Sequence, residues 1–105
     1  MKTYNSKDPF IVKCFEACTS HISKEDDKLL KRDDCPVSCY NYEYGCLVYT
    51  GYPDEHSEYS AETLKKAGFT EAFANLVVLA QKSECKFLQL DCDGVEYEDL
   101  PTFSW

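Results

Sequence analysis

The stretch FLQLDCDGVEYED, residues 87–99, decides how this chain folds. It opens as a short apolar strand, extended backwards by Cys85 and Lys86. It then runs into five carboxylates: Asp91, Asp93, Glu96, Glu98 and Asp99. Only eleven residues follow Gly94. The remainder, residues 91–105, reads as an irregular acidic tail.

The elements before it follow from spacing and caps. In EAFANLVVLAQKSE, residues 71–84, Phe73, Leu76, Val77 and Ala80 recur at helical spacing behind a Thr70 cap, so one face should be buried. AETLKKAG, residues 61–68, is a shorter helix capped by Ser60 and stopped by Gly68, with Lys65 and Lys66 facing solvent. A polar loop, GYPDEHSEYS, precedes it. CPVSCYNYEYGCLVYTGYP reads as a hairpin with strands over 37–42 and 46–49. Its turn lies near Glu43, Tyr44 and Gly45, the glycine supplying the unusual backbone angle. Further back, Ser23 caps a helix over about 24–31, with Asp26 at the third helical position in a variant of the capping box. Glu25, Asp26 and Asp27 suit its positive end, and Lys28, Lys31 and Arg32 its negative end. Ile22 and Leu29 or Leu30 should face the core. FIVKCFEAC, residues 10–18, is the first strand.

The order is β-α-β-β-α-α-β, without a Gly-rich loop or a long βαβ series. It predicts an α+β two-layer sandwich with a three- or four-stranded mixed sheet and helices on one face. The 105 residues make one domain, 1–105. Hydrophobic residues are 44% of the chain, which excludes disorder by composition. No apolar run reaches the ~20 residues of a membrane span. MKTYNSKDPF lacks the apolar core of a signal peptide, so a cytoplasmic location is expected.

Seven cysteines are present, in close pairs at Cys14/Cys18 and Cys35/Cys39. Without a signal peptide, reduced thiols are expected. Tight Cys-x-x-Cys knuckles are missing, and positions i and i+4 of a strand lie ~13 Å apart, too far to chelate one ion. The cysteines therefore read as small packed side chains, with no metal and no cofactor. His21 and His56 are the only histidines, and His21 reads as structural or surface.

Charge is segregated within a net of −8. Residues 40–64 carry no Lys or Arg but five acids, Glu43, Asp54, Glu55, Glu58 and Glu62; residues 87–105 carry five acids and again no base. Direct nucleic-acid binding, which uses Lys and Arg against phosphate, is disfavoured. A basic protein partner is favoured.

Three chemistries compete for the acidic stretch with a plainer fourth reading of equal standing to recognition, a solvated acidic tail whose aromatics pack back on the domain. FLQLDCDGV matches the opening of the haloacid-dehalogenase-like phosphohydrolases, in which residues matching Asp91 and Asp93 are nucleophile and acid. That motif opens a long doubly wound domain that later brings a Lys, and no Lys follows here. An EF-hand needs Gly at position 6 and Glu at 12, whereas Gly94 stands fourth and Thr102 twelfth. The third is recognition: carboxylates interleaved with aromatics, steering a basic groove onto the surface. Trp105 itself is expected to pack on the domain.

HISKEDDKLL, EYGCLVY and CKFLQLDCDGVEYEDLPTFSW together resemble a domain-of-unknown-function family of small plasmid- and phage-borne proteins. The most specific part is the ending: Leu90, Asp91, Asp93, Gly94, Leu100, Pro101, Thr102, Phe103 and Trp105. The resemblance implies a genomic context rather than a chemistry. Small acidic proteins of mobile elements include anti-CRISPRs that block nucleic-acid grooves with carboxylates. By that likeness the expected function is a non-catalytic inhibitor that binds a basic protein or nucleoprotein complex of a bacterial host by surface mimicry. The expected contact residues are Glu43, Tyr52, Asp54, Glu55, Glu58, Tyr59, Asp93, Glu96, Tyr97, Glu98 and Asp99. The alternatives are a small metal-dependent enzyme or regulator using Asp91, Asp93 and cysteines, and a toxin–antitoxin or plasmid-maintenance partner.

Overall fold

The computed structural model describes residues 11–53 and 59–105. The elements are β1 (Cys14–Cys18), a 3-10 turn (Thr19–His21), α1 (Lys24–Leu30), β2 (Cys39–Tyr42), β3 (Gly45–Tyr49), α2 (Ala61–Lys66), α3 (Glu71–Lys82) and β4 (Phe87–Asp91). The sheet order is β1-β4-β3-β2. β4 runs parallel to β1 and antiparallel to β3, and β3 is antiparallel to β2, giving a mixed four-stranded sheet. This is the α+β sandwich the sequence predicts.

Alternation along the strands explains the two layers. Ala17, Cys46, Val48, Leu88 and Leu90 are all buried, and the register places them on one face. The helices cover that face with Leu30, Leu64, Phe73, Ala74, Leu76, Val77 and Ala80. Each fully buried Leu, Val or Phe contributes roughly 1.5–3 kcal/mol of transfer free energy. The alternate residues, among them Tyr40, Leu47, Gln89 and Glu16, line the opposite, open face.

The helix caps form as the sequence predicts. Ser23 and Asp26 close a reciprocal capping box, and Ser60 and Thr70 accept the N–H groups of Thr63 and Phe73. Asp26 also reaches across the core: it accepts from the Thr70 N–H at 2.8 Å and the Thr70 hydroxyl at 2.6 Å. One buried carboxylate thus joins the starts of α1 and α3.

Several boundaries differ from expectation, β4 among them, which runs Phe87–Asp91 rather than 85–90. β1 starts at Cys14 rather than residue 10. β2 starts at Cys39 rather than 37: Ser38 still offers its carbonyl to the Tyr49 N–H, but its own N–H turns to the Tyr59 hydroxyl. α3 ends at Lys82 because Glu84 adopts a left-handed conformation, φ 61°. Gly45 is also needed for a different reason. Its backbone angle is ordinary, but an added Cβ would overlap the Leu90 carbonyl of the neighbouring strand.

Candidate functional site

β4 and β1 run the same way, so both deliver their C-termini to one end of the sheet, where the β2–β3 turn also lies. The Cys92 N–H donates to the Tyr44 carbonyl at 2.9 Å, tying the turn that carries Glu43 to the start of the tail. Asp91 organises this end. Its carboxylate accepts from the Tyr42 hydroxyl at 2.7 Å and from the Asp93 N–H at 2.8 Å. The Tyr42 hydroxyl, then the Asp93 N–H, hold its carboxyl below the ordinary range. Burial, then Asp91, push the Tyr42 phenol up. Ligand atoms of Asp91, Cys92 and Asp93 lie within 4.8 Å of one another. Both Asp91 oxygens already accept a hydrogen bond, and burial, then the Asp93 and Asp91 charges, push the Cys92 thiol up. These residues shape a turn. The mixed sheet is also not the doubly wound sheet that the phosphohydrolase motif opens.

Beyond Asp91 the tail turns every third residue inward: Gly94, Tyr97, Leu100 and Phe103 are half-buried and their neighbours exposed. It wraps the outer edge of β1 and the 3-10 turn. The Cys18 N–H donates to the Val95 carbonyl at 2.7 Å, and the Phe103 N–H to the Ser20 carbonyl at 2.8 Å. His21, 1% exposed, is the bolt of this clasp. Its Nε2 accepts from the Tyr97 N–H at 2.8 Å, which leaves the proton on Nδ1 to be donated to the Pro101 carbonyl at 2.7 Å. The Trp105 indole N–H donates to the Ile22 carbonyl at 2.9 Å. Gly94 is required by contact: a Cβ there would lie 2.6 Å from the Ala17 carbonyl oxygen.

Residues 14–105 match the model of a family described as "Family of unknown function (DUF5983) C-terminal domain". The chain belongs to the DUF5983 family. No curated protein matches it, and no solved structure does. In this DUF5983 domain, residues that carried the resemblance meet in space. The His21–Ile22 pair and the Leu-Pro-Thr-Phe-x-Trp ending are the two halves of the clasp. That motif is accounted for by tail docking.

The expected contact residues divide. Glu43, Asp93, Glu98 and Asp99 are exposed at the clasp end of the DUF5983 domain, and among the described residues none forms an ion pair. Glu96 is exposed, but its carboxylate accepts from the Ser20 hydroxyl at 2.8 Å. Tyr97 is half-buried: its ring packs on Phe15 and His21 and its hydroxyl donates to the Glu16 carbonyl, so it also serves the clasp. Tyr59 is 6% exposed in the core, against Tyr49 and beneath Gly51. Tyr52 lies at the opposite end of the sheet, lining a hollow with Lys13 and Lys86. β3 and β4 are antiparallel, so the chain leaving β3 and the chain leaving β4 must exit at opposite ends. Asp54, Glu55 and Glu58 lie outside the described residues.

The aromatics that accompany the acids are instead Tyr42 and Tyr44, 39% and 54% exposed, with Tyr40 beside them at 80%. The signal was available: Tyr40 and Tyr42 alternate with Asn41 on an edge strand, and side chains two apart share a face.

Proposed function

We propose that this DUF5983 domain is a non-catalytic binding module that docks its acidic sheet end onto a basic surface of a protein or nucleoprotein complex. One observation carries the reading. Glu43, Asp93, Glu98 and Asp99 are exposed along the clasp end of the sheet, with no cation paired to them among the described residues, and Tyr42 and Tyr44 stand at the Glu43 side of that end. Unpaired carboxylates on a chain of net charge −8 steer a positive partner and set its orientation. Tyr supplies contact area at low entropic cost. The finer proposal is an inhibitor carried by a mobile element, acting stoichiometrically on a bacterial defence complex such as a CRISPR–Cas assembly by occupying its nucleic-acid groove.

The test is a Glu43→Lys/Glu98→Lys/Asp99→Lys variant, which spares Glu96 and its bond to Ser20. Partners captured from bacterial lysate by the parent should be released by salt and not retained by the variant, with circular dichroism unchanged. Loss of DNA binding by an isolated CRISPR–Cas complex on adding the parent, and not the variant, tests the finer proposal. Equal capture by both proteins overturns the electrostatic reading. A divalent ion bound stoichiometrically and lost in Asp91→Asn would replace it with a metal-dependent one.

A further inference from the structure

We infer that Cys35 and Cys39 form an oxidisable dithiol, a site that reduces a low-molecular-weight disulfide and closes an internal Cys35–Cys39 bridge. The strand spacing that set these thiols far apart does not apply, because Cys35 precedes β2 in a turn whose N–H donates to the Arg32 carbonyl. The two sulfurs lie 3.7 Å apart. Both thiols are half-buried, at a cleft of about 410 Å³ lined by Leu30, Arg32, Tyr40, Leu47, Tyr49 and Phe87. That volume falls within the range of small-molecule sites.

The surroundings tolerate oxidation. The Cys39 thiol faces the Leu30 carbonyl at the end of α1 at 3.1 Å, and the Asn41 amide donates to the same oxygen at 3.1 Å. When the thiol proton leaves, that carbonyl keeps a partner. Burial, then the neighbouring Cys35, push the Cys39 thiol up to about 11. Cys39, whose thiol donates to the Leu30 carbonyl, keeps its proton in that hydrogen bond, so Cys35 attacks first and Cys39 resolves. The Cys35 thiolate displaces one thiolate from the small disulfide and forms a mixed disulfide. Cys39 then gives its proton to a departing thiolate and attacks the Cys35 sulfur, expelling the second. The balance is one protein dithiol and one small disulfide converted into one protein disulfide and two small thiols. Cys46, close behind, is buried and pushed up to about 12 by that burial first, so it stays out of the exchange.

The test exposes the whole reduced chain to graded mixtures of oxidised and reduced glutathione, then acid quenching, alkylation and peptide mapping. The expected result is that residues 35 and 39 lose their label together, before any other cysteine, in a species lighter by two hydrogens. Cys39→Ser should instead hold a stable glutathione adduct on Cys35. Earlier reaction at Cys14 or Cys92, a Cys39–Cys46 bridge, or a Cys35–Cys39 bridge that forms only in denaturant overturns the inference. The parent's map decides the question even where a serine variant fails to fold.

Discussion

Asp26 shows how one side chain is legible in one role and hidden in another. Its place three residues after Ser23 announces a capping box, and the box forms. Its bonds to Thr70 could not be read, because 44 residues separate the partners. The carboxylate is 0% exposed and meets only donors: the N–H of Ser23, and the N–H and hydroxyl of Thr70. Asp26→Asn turns an NH2 toward that donor cluster. It should cost about 2–3 kcal/mol, seen as a lowered urea midpoint with an unchanged slope. Asp91 offers a pH test. Its carboxyl is depressed, so its contribution is present above the unfolded value and lost as pH falls through the folded one. Tyr42→Phe removes the largest cause. The Asp91 titration followed by NMR should then move up toward the ordinary carboxylate range, and acid unfolding should begin at a higher pH.

Helix ends explain why starts were read more closely than stops. Ser23, Ser60 and Thr70 are capping types, and all three caps form. At the stops, α2 and α3 use the same geometry with different residues. The Phe69 N–H returns to Leu64 past Gly68 at φ 113°, and the Cys85 N–H returns to Ala80 past Glu84 at φ 61°. Glycine announces the first stop; glutamate conceals the second. The Lys13 ammonium, 2.8 Å from the Ser83 carbonyl, adds a cation where the helix dipole is negative. Because a left-handed glutamate is strained, Glu84→Gly should stabilise the domain, by up to about 1 kcal/mol after the entropy glycine adds to the unfolded chain. A rise in melting temperature checks this. The tail resisted reading for another reason. Its inward residues recur every third position, which matches neither the strand period of two nor the helical 3.6.

For the molecule as a whole, local signals settled the elements, while the candidate site depended on which ends of the strands meet. Two base-free segments looked like one acidic surface. Antiparallel β3 and β4 send their exits apart, and Tyr52 lies with Lys13 and Lys86. Hydrophobic patterning carries the layers; it carries no information about which carboxylates become neighbours. The clasp is the most distant of these arrangements, joining His21 to residues about 80 positions away. His21→Ala leaves the Tyr97 N–H and the Pro101 carbonyl without partners, so the tail should detach before the core does. Hydrogen exchange should speed up at Tyr97 and Phe103, while the amides of β3 and α3 keep the parent's protection.

The clasp also covers one of the two edges along which a sheet can pair with another chain. A sheet has two rims, and here the rim formed by β1 is sheathed by the chain's own last residues. Ending the chain at Gly94 would strip that sheath and leave two bare strands on each molecule, at opposite rims. A particle with two such rims can stack in rows. Turbidity that grows with concentration, from a protein whose spectrum is still folded, is the behaviour to expect of it.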